Sequence, residues 1–67
     1  MRTYRVEIVD HHIVEKSVIV EAENAGIAVE QVVGPEEEIS FRSRLCGQFH
    51  FRVGHFPNHL HAWVYRK

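Results

Sequence analysis

SVIVEAENAGIAVEQVVGP, residues Ser17 to Pro35, reads as a strand that turns a capped corner into a short helix. Over Ser17 to Ala22 β-branched residues dominate, and Val18, Val20 and Ala22 fall on one side at period two, as in a half-buried strand. Asn24 stands where a helix N-cap belongs, its side-chain oxygen able to accept from a free backbone N–H of the first turn. Glu21 and Glu23 lie beside that positive helix end and favour it electrostatically. From there Ala25, Ala28, Val29, Val32 and Val33 recur at helical spacing, with Glu30 and Gln31 turned the other way. Gly26 and the β-branched Ile27, Val29, Val32 and Val33 make this helix intrinsically weak, so it is expected to hold only when packed. Gly34 supplies a left-handed C-terminal residue and Pro35 forbids continuation.

Upstream, Thr3 to Val9 alternates Tyr4, Val6 and Ile8 against Thr3, Arg5 and Glu7, a second half-buried strand. DHHIVEK, residues 10–16, joins the two as a hairpin connection, with His11-His12 read as loop surface. Downstream, Glu36-Glu37-Glu38 is an ordinary solvated charge run. Ile39 to Leu45 alternates Ile39, Phe41 and Ser43 against Ser40, Arg42 and Arg44, although residues 39–45 are also readable as loop. Cys46-Gly47 offers a turn, and Gln48 to Val53 sets Phe49, Phe51 and Val53 against His50 and Arg52. Gly54 to His59 is a turn region. Leu60 to Arg66 closes the pattern with Leu60, Ala62 and Val64 opposed to His61, Trp63 and Tyr65, which suits a central strand or an edge with exposed aromatics. The order is β-β-α-β-β, or β-β-α-β-β-β with residues 39–45 as a strand. This is an α+β domain spanning residues 1–67, an antiparallel sheet of four to five strands with one helix packed on one face.

Sixty-seven residues allow one small core, and a hydrophobic content of 45% argues for a folded chain. The single cysteine, Cys46, excludes an internal disulfide framework. No stretch approaches the roughly 20 apolar residues of a membrane span, and MRTYRVEIVD lacks the apolar run of a signal peptide. A cytoplasmic protein without membrane contact is expected. The net charge of -1 hides an asymmetry: the nine acids all lie between Glu7 and Glu38, whereas Arg42, Arg44, Arg52, Arg66 and Lys67 follow with no acid among them. An acidic helix side and a basic sheet side are the expected result.

These residues admit three kinds of chemistry. Two histidines at spacing two, His59 and His61, point to one side of a strand, and His55 or His50 offers a third zinc ligand. Without a second cysteine or a helical H-x-x-x-H, solvent-facing histidines explain the pattern as well, and no cofactor is expected. Cys46 beside a histidine is the one conceivable nucleophile pair, but no activated-cysteine signature surrounds it, and neither a glycine-rich phosphate loop nor a meaningful carboxylate pair is present. The chain is read as a non-enzyme. Arg42, Arg44, His50 and Arg52 are expected to share the outward face of the second hairpin, with Trp63 and Tyr65 beside them. Arginine with aromatic residues suits a protein interface, and equally the backbone and bases of a single-stranded nucleic acid. An exposed edge strand also permits pairing with a second copy of the chain.

In YRVEIVD and SVIVEAENAGIAVEQVV, with the corner Val20-Glu21-Ala22-Glu23-Asn24, residues 4–33 resemble very small phage-encoded proteins of β-β-α-β layout, some anti-CRISPR proteins and a phage inhibitor of bacterial RNA polymerase among them. The resemblance implies a non-enzymatic inhibitor or adaptor, of phage or mobile-element origin, that docks on a host protein or nucleoprotein complex and blocks it sterically. It carries no functional residue over, and the histidine-rich last third of the chain lies outside it. The expected contacts are therefore Arg42, Arg44, His50, Arg52, Trp63 and Tyr65. The alternatives are a small nucleic-acid binder and histidine-mediated metal binding through His55, His59 and His61.

Overall fold

A computed structural model describes residues 1–67. It contains β1 (Arg2–Asp10), β2 (Ile13–Ala22), α1 (Ala25–Val33), β3 (Ile39–Leu45), β4 (Gln48–Val53) and β5 (Leu60–Arg66). The α+β class, the antiparallel sheet of five strands and the single helix accord with the sequence, and residues 39–45 are strand. No helix is long and apolar enough to cross a membrane.

The sheet order is β2-β1-β5-β4-β3, so the last strand in sequence lies in the middle. Every pairing is antiparallel. Of the two placements open to residues 60–66, the central one is realised, and the free edges are β2 and β3. The end of β5 is tied on both sides: the Arg66 N–H donates to Gly47 O and the Lys67 N–H to Thr3 O, each at 3.0 Å.

Register sorts the side chains into two faces, because neighbours along a strand alternate. Val6 is opposite Val18 on one side and Val64 on the other, and Phe51 is opposite Ala62. Tyr4, Val6, Ile8, Ala22, Phe51, Val53, Ala62 and Val64 thereby share one face, where they form a single buried cluster with Ala25, Ala28 and Val29 of α1. The small alanines let the helix backbone approach the sheet. Burial on this scale, about 25 cal/mol per Å² of apolar surface, is what holds so weak a helix in place. Its start is capped as the sequence implies, the Ile27 N–H donating to Asn24 Oδ1 at 2.9 Å, and at its end the Gly34 N–H donates to Glu30 O at 2.8 Å with Gly34 at φ 99°.

One helix is narrower than five strands. Toward β3 the covered face thins out, leaving Phe41 58% exposed although its ring meets Phe51 edge-on at 5.5 Å.

Candidate functional site

The face opposite the helix carries no fully buried residue. Across its middle the register sets Glu7 opposite Trp63 and Trp63 opposite His50, then, one row along, Val9 opposite His61 and His61 opposite Arg52. A third row runs from Arg5 to Tyr65 to Gln48. Trp63, Tyr65, His50, His61 and Arg52 are all half-buried, although no second layer lies over them. They shield one another instead, as cross-strand neighbours do on one sheet face.

The shielding is ordered. His50 stacks on Trp63 with ring centroids 4.2 Å apart and planes 11° apart, and the Arg5 guanidinium lies 4.5 Å from the centre of the Tyr65 ring. His50 Nε2 and His61 Nδ1 are 2.8 Å apart, a hydrogen bond in which one nitrogen carries the proton and the other receives it. His59 meets His61 edge-on at 5.1 Å, and Phe56 stacks on His59 at 5.9 Å. Burial first, and then the nearby His61 and Arg42, hold His50 below the usual histidine range. For His61 burial again leads, followed by His59, His12 and Arg52. Both shifts favour the neutral rings, and a pair with one proton between the two nitrogens satisfies the hydrogen bond.

These rings form one wall of a cleft of about 440 Å³ lined by His11, His12, His50, His59, His61 and Trp63, with Phe56 and Pro57 at its rim. His11 and His12 are the two central residues of the β1–β2 turn, at φ 49° and 73°. A turn of this shape ordinarily uses Asn-Gly, because side chains at positive φ are strained. His11 and His12 are exposed turn residues, as the sequence implies, and they also line the cleft. The signal available was the absence of Asn and Gly from a two-residue turn between long alternating strands.

The expected contact residues divide between the two faces. Arg52 and His50 lie on the uncovered face with Trp63 and Tyr65, and Arg42 is close enough for its charge to act on His50. Arg44 does not join them. The β3–β4 pairing skips a residue between Phe41 and Ser43, so that Arg44 pairs with Phe49 and its guanidinium lies 5.9 Å from that ring, on the helix side. The extra residue of a β-bulge reverses the alternation that follows it, which strict period-two reading cannot anticipate. The expected basic sheet side also carries an acid: Glu7 lies on the uncovered face opposite Trp63, 3.7 Å from Arg5.

No family model, no curated protein and no solved structure matches this chain. Its chemistry is therefore read from the side chains alone.

The metal arrangement does not form. His55 turns away from His59 and His61 to reach Glu38, with Nε2 3.0 Å from a carboxylate oxygen, and no three His, Cys, Asp or Glu side chains are disposed to hold a metal ion. Cys46 is exposed in the β3–β4 turn. Two polar atoms remain buried and unpartnered, Arg52 Nε and His59 Nδ1, both bordering the His50–His61 pair. What this face offers is a preformed arrangement of aromatic rings and hydrogen-bond donors, suited to binding.

Proposed function

We propose that this chain is a non-enzymatic binding module, an inhibitor or adaptor, that docks through its uncovered sheet face on a protein, free or within a nucleoprotein complex. The observation that carries this reading is the ordered patch of half-buried Trp63, His50 and Tyr65, with the exposed Arg5 laid over the Tyr65 ring, on a face with no covering layer. Tryptophan, tyrosine and arginine are the side chains that dominate binding energy at protein interfaces, and prior immobilisation lowers the entropy cost of using them. The patch is extended along β2 by Val14 and Ile19, which are 52% and 57% exposed. The resemblance of residues 4–33 to small phage-encoded inhibitors is the reason to look first among host complexes.

Nucleic acid is the second reading, favoured by Arg5, Arg42 and Arg52 on or beside the patch. Two features weigh toward protein. Glu7 stands in the middle of the face, opposite Trp63, where it repels phosphate. Both aromatic rings already spend one face inside the molecule, on His50 and on Arg5, whereas base stacking needs free ring faces.

The test is affinity capture with the wild-type chain, the Trp63→Ala/Tyr65→Ala variant and Arg44→Gln, each with and without nuclease. A stoichiometric protein retained by wild type and Arg44→Gln, resistant to nuclease and lost with the aromatic variant supports docking by this face. Retention that vanishes with nuclease moves the function to nucleic acid. Equal retention by the wild type and both variants removes the uncovered face from the account.

A further inference from the structure

The cleft beside the Trp63 patch has a composition that docking by apolar contact does not explain. It gathers five of the six histidines of the chain, and nothing nearby neutralises the three at its core. The charged and titratable groups around His50 and His61 can be taken element by element. β3 supplies Arg42, β4 supplies Arg52, and the β4–β5 loop supplies His59, while His55 is occupied by Glu38. The β1–β2 turn supplies His12, and His11 lies 3.4 Å from Asp10. β1 supplies Glu7, beside Arg5, and Asp10, beside His11. Asp10, the one acid lining the cleft, and Glu7, opposite Trp63, thus have partners of their own, and the other charged and titratable groups named are donors and potential cations.

We propose that this cleft receives a carboxylate side chain from an acidic segment of the protein partner, with the His50–His61 pair and His59 as its donors and Arg52 as the flanking positive charge. This specifies the partner chemistry of the docking face and rests on that reading. The geometry also fixes the proton count. With Nε2 of His50 2.8 Å from Nδ1 of His61, one proton occupies the space between the rings. A further proton from solvent adds at an outward nitrogen, His50 Nδ1 or His61 Nε2, giving a singly charged imidazolium–imidazole pair that keeps its hydrogen bond. Yet another would place two N–H groups head to head and break it. The pair therefore charges once, and a carboxylate is the group that favours its doing so. His59 Nδ1 and Arg52 Nε, buried and without partners, are polar atoms for which a bound carboxylate supplies what the chain does not. The strained His11-His12 turn completes the wall. Phosphate shares part of this chemistry, and a nucleic-acid backbone is the competing occupant that the titration must separate.

The experiment is calorimetric titration of the full chain with two probes, blocked hexaglutamate and the oligonucleotide dT10, at pH 7.5 and 5.5, in buffers of different ionisation enthalpy so that proton uptake is counted. Linkage of one proton allows up to about a tenfold change in affinity per pH unit. Hexaglutamate is expected to bind about tenfold more tightly at pH 5.5, with uptake of close to one proton. His61→Gln should abolish the pH dependence and Arg44→Gln should leave it intact. Because His61→Gln also removes a ring packed on the sheet face, ring-nitrogen NMR of the wild type provides a second reading: hexaglutamate should raise the titration midpoints of His50 and His61. No binding at pH 5.5, pH-independent binding, unmoved histidine midpoints, or a preference for dT10 would each overturn the proposal. Partner capture that depends on Trp63 and Tyr65 but not on pH or His61 would leave the docking reading standing and remove only the carboxylate site.

Discussion

His50 and Trp63 lie face to face across β4 and β5, ring centroids 4.2 Å apart and planes 11° from parallel. Trp63 is the only tryptophan in the chain, so its emission reports on this contact without interference. A protonated imidazole quenches indole fluorescence far more strongly than a neutral one. Burial holds His50 below the ordinary histidine value of 6.5, so the emission should stay level as pH falls through 6.5 and drop only below it. A fluorescence titration checks this. Quenching centred at or above 6.5 would contradict the burial of His50, and His50→Gln should remove the transition.

Stability should depend on the same groups. His50 and His61 have folded values lowered mainly by desolvation, so the unfolded chain binds protons more readily in the interval below 6.5. Stability then rises with pH where the unfolded state holds more protons. Their contribution is fully present above 6.5 and is lost as pH falls from there through the folded values. Melting curves between pH 7.5 and 5.5 should show Tm falling with pH, and falling less in a His50→Gln/His61→Gln variant. Identical slopes would mean that other groups govern acid sensitivity.

The β1–β2 turn should be improvable at the cost of binding. His11 and His12 occupy both positive-φ positions. Replacing them with Asn-Gly, the pair that fits such a turn, should raise stability by about 1 kcal/mol, within the usual gain from a compatible turn replacement. On a chain of this size that is roughly 4–8 °C in Tm. The same variant should bind hexaglutamate more weakly at pH 5.5. Greater stability with unchanged binding would detach the turn from the cleft.

The two faces predict opposite outcomes for two arginines of one hairpin. Arg52→Gln should weaken partner capture, and because it removes a charge beside His61 it should move the midpoint of that histidine upward. Arg44→Gln, on the helix side against Phe49, should leave both unchanged and alter Tm only slightly. NMR titration together with capture distinguishes them. Loss of capture in Arg44→Gln would place the interface on the wrong face.

The elements were legible in the sequence because each is fixed by neighbours within a few residues. Asn24, Gly34 and Pro35 bound the helix, and the alternation of Tyr4, Val6 and Ile8 marks a strand without reference to the rest of the chain. What lay beyond reach depends on pairing. Whether Leu60 to Arg66 is central or peripheral turns on which hairpins share the core, and apolar residues on both sides of that strand left two answers open. Arg44 was placed on the wrong face because a bulge adds one residue and reverses the parity after it. His50 and His61 come within 2.8 Å because β4 and β5 pair with Trp63 opposite His50 and Arg52 opposite His61, and the ten positions between the two histidines give no hint of that contact.

The central position of β5 has a consequence for biogenesis. The hairpin of β1 and β2 and the hairpin of β3 and β4 share no strand pairing; within the sheet they are joined only through residues 60–66. While those residues are still inside the ribosome, the nascent chain can hold two separate hairpins and a helix with no complete surface to rest on. The histidine pair, which needs one ring from β4 and one from β5, cannot yet exist. Assembly of one sheet must therefore wait for residues 60–66, so the uncovered aromatic face and the complete sheet come into being in the same event.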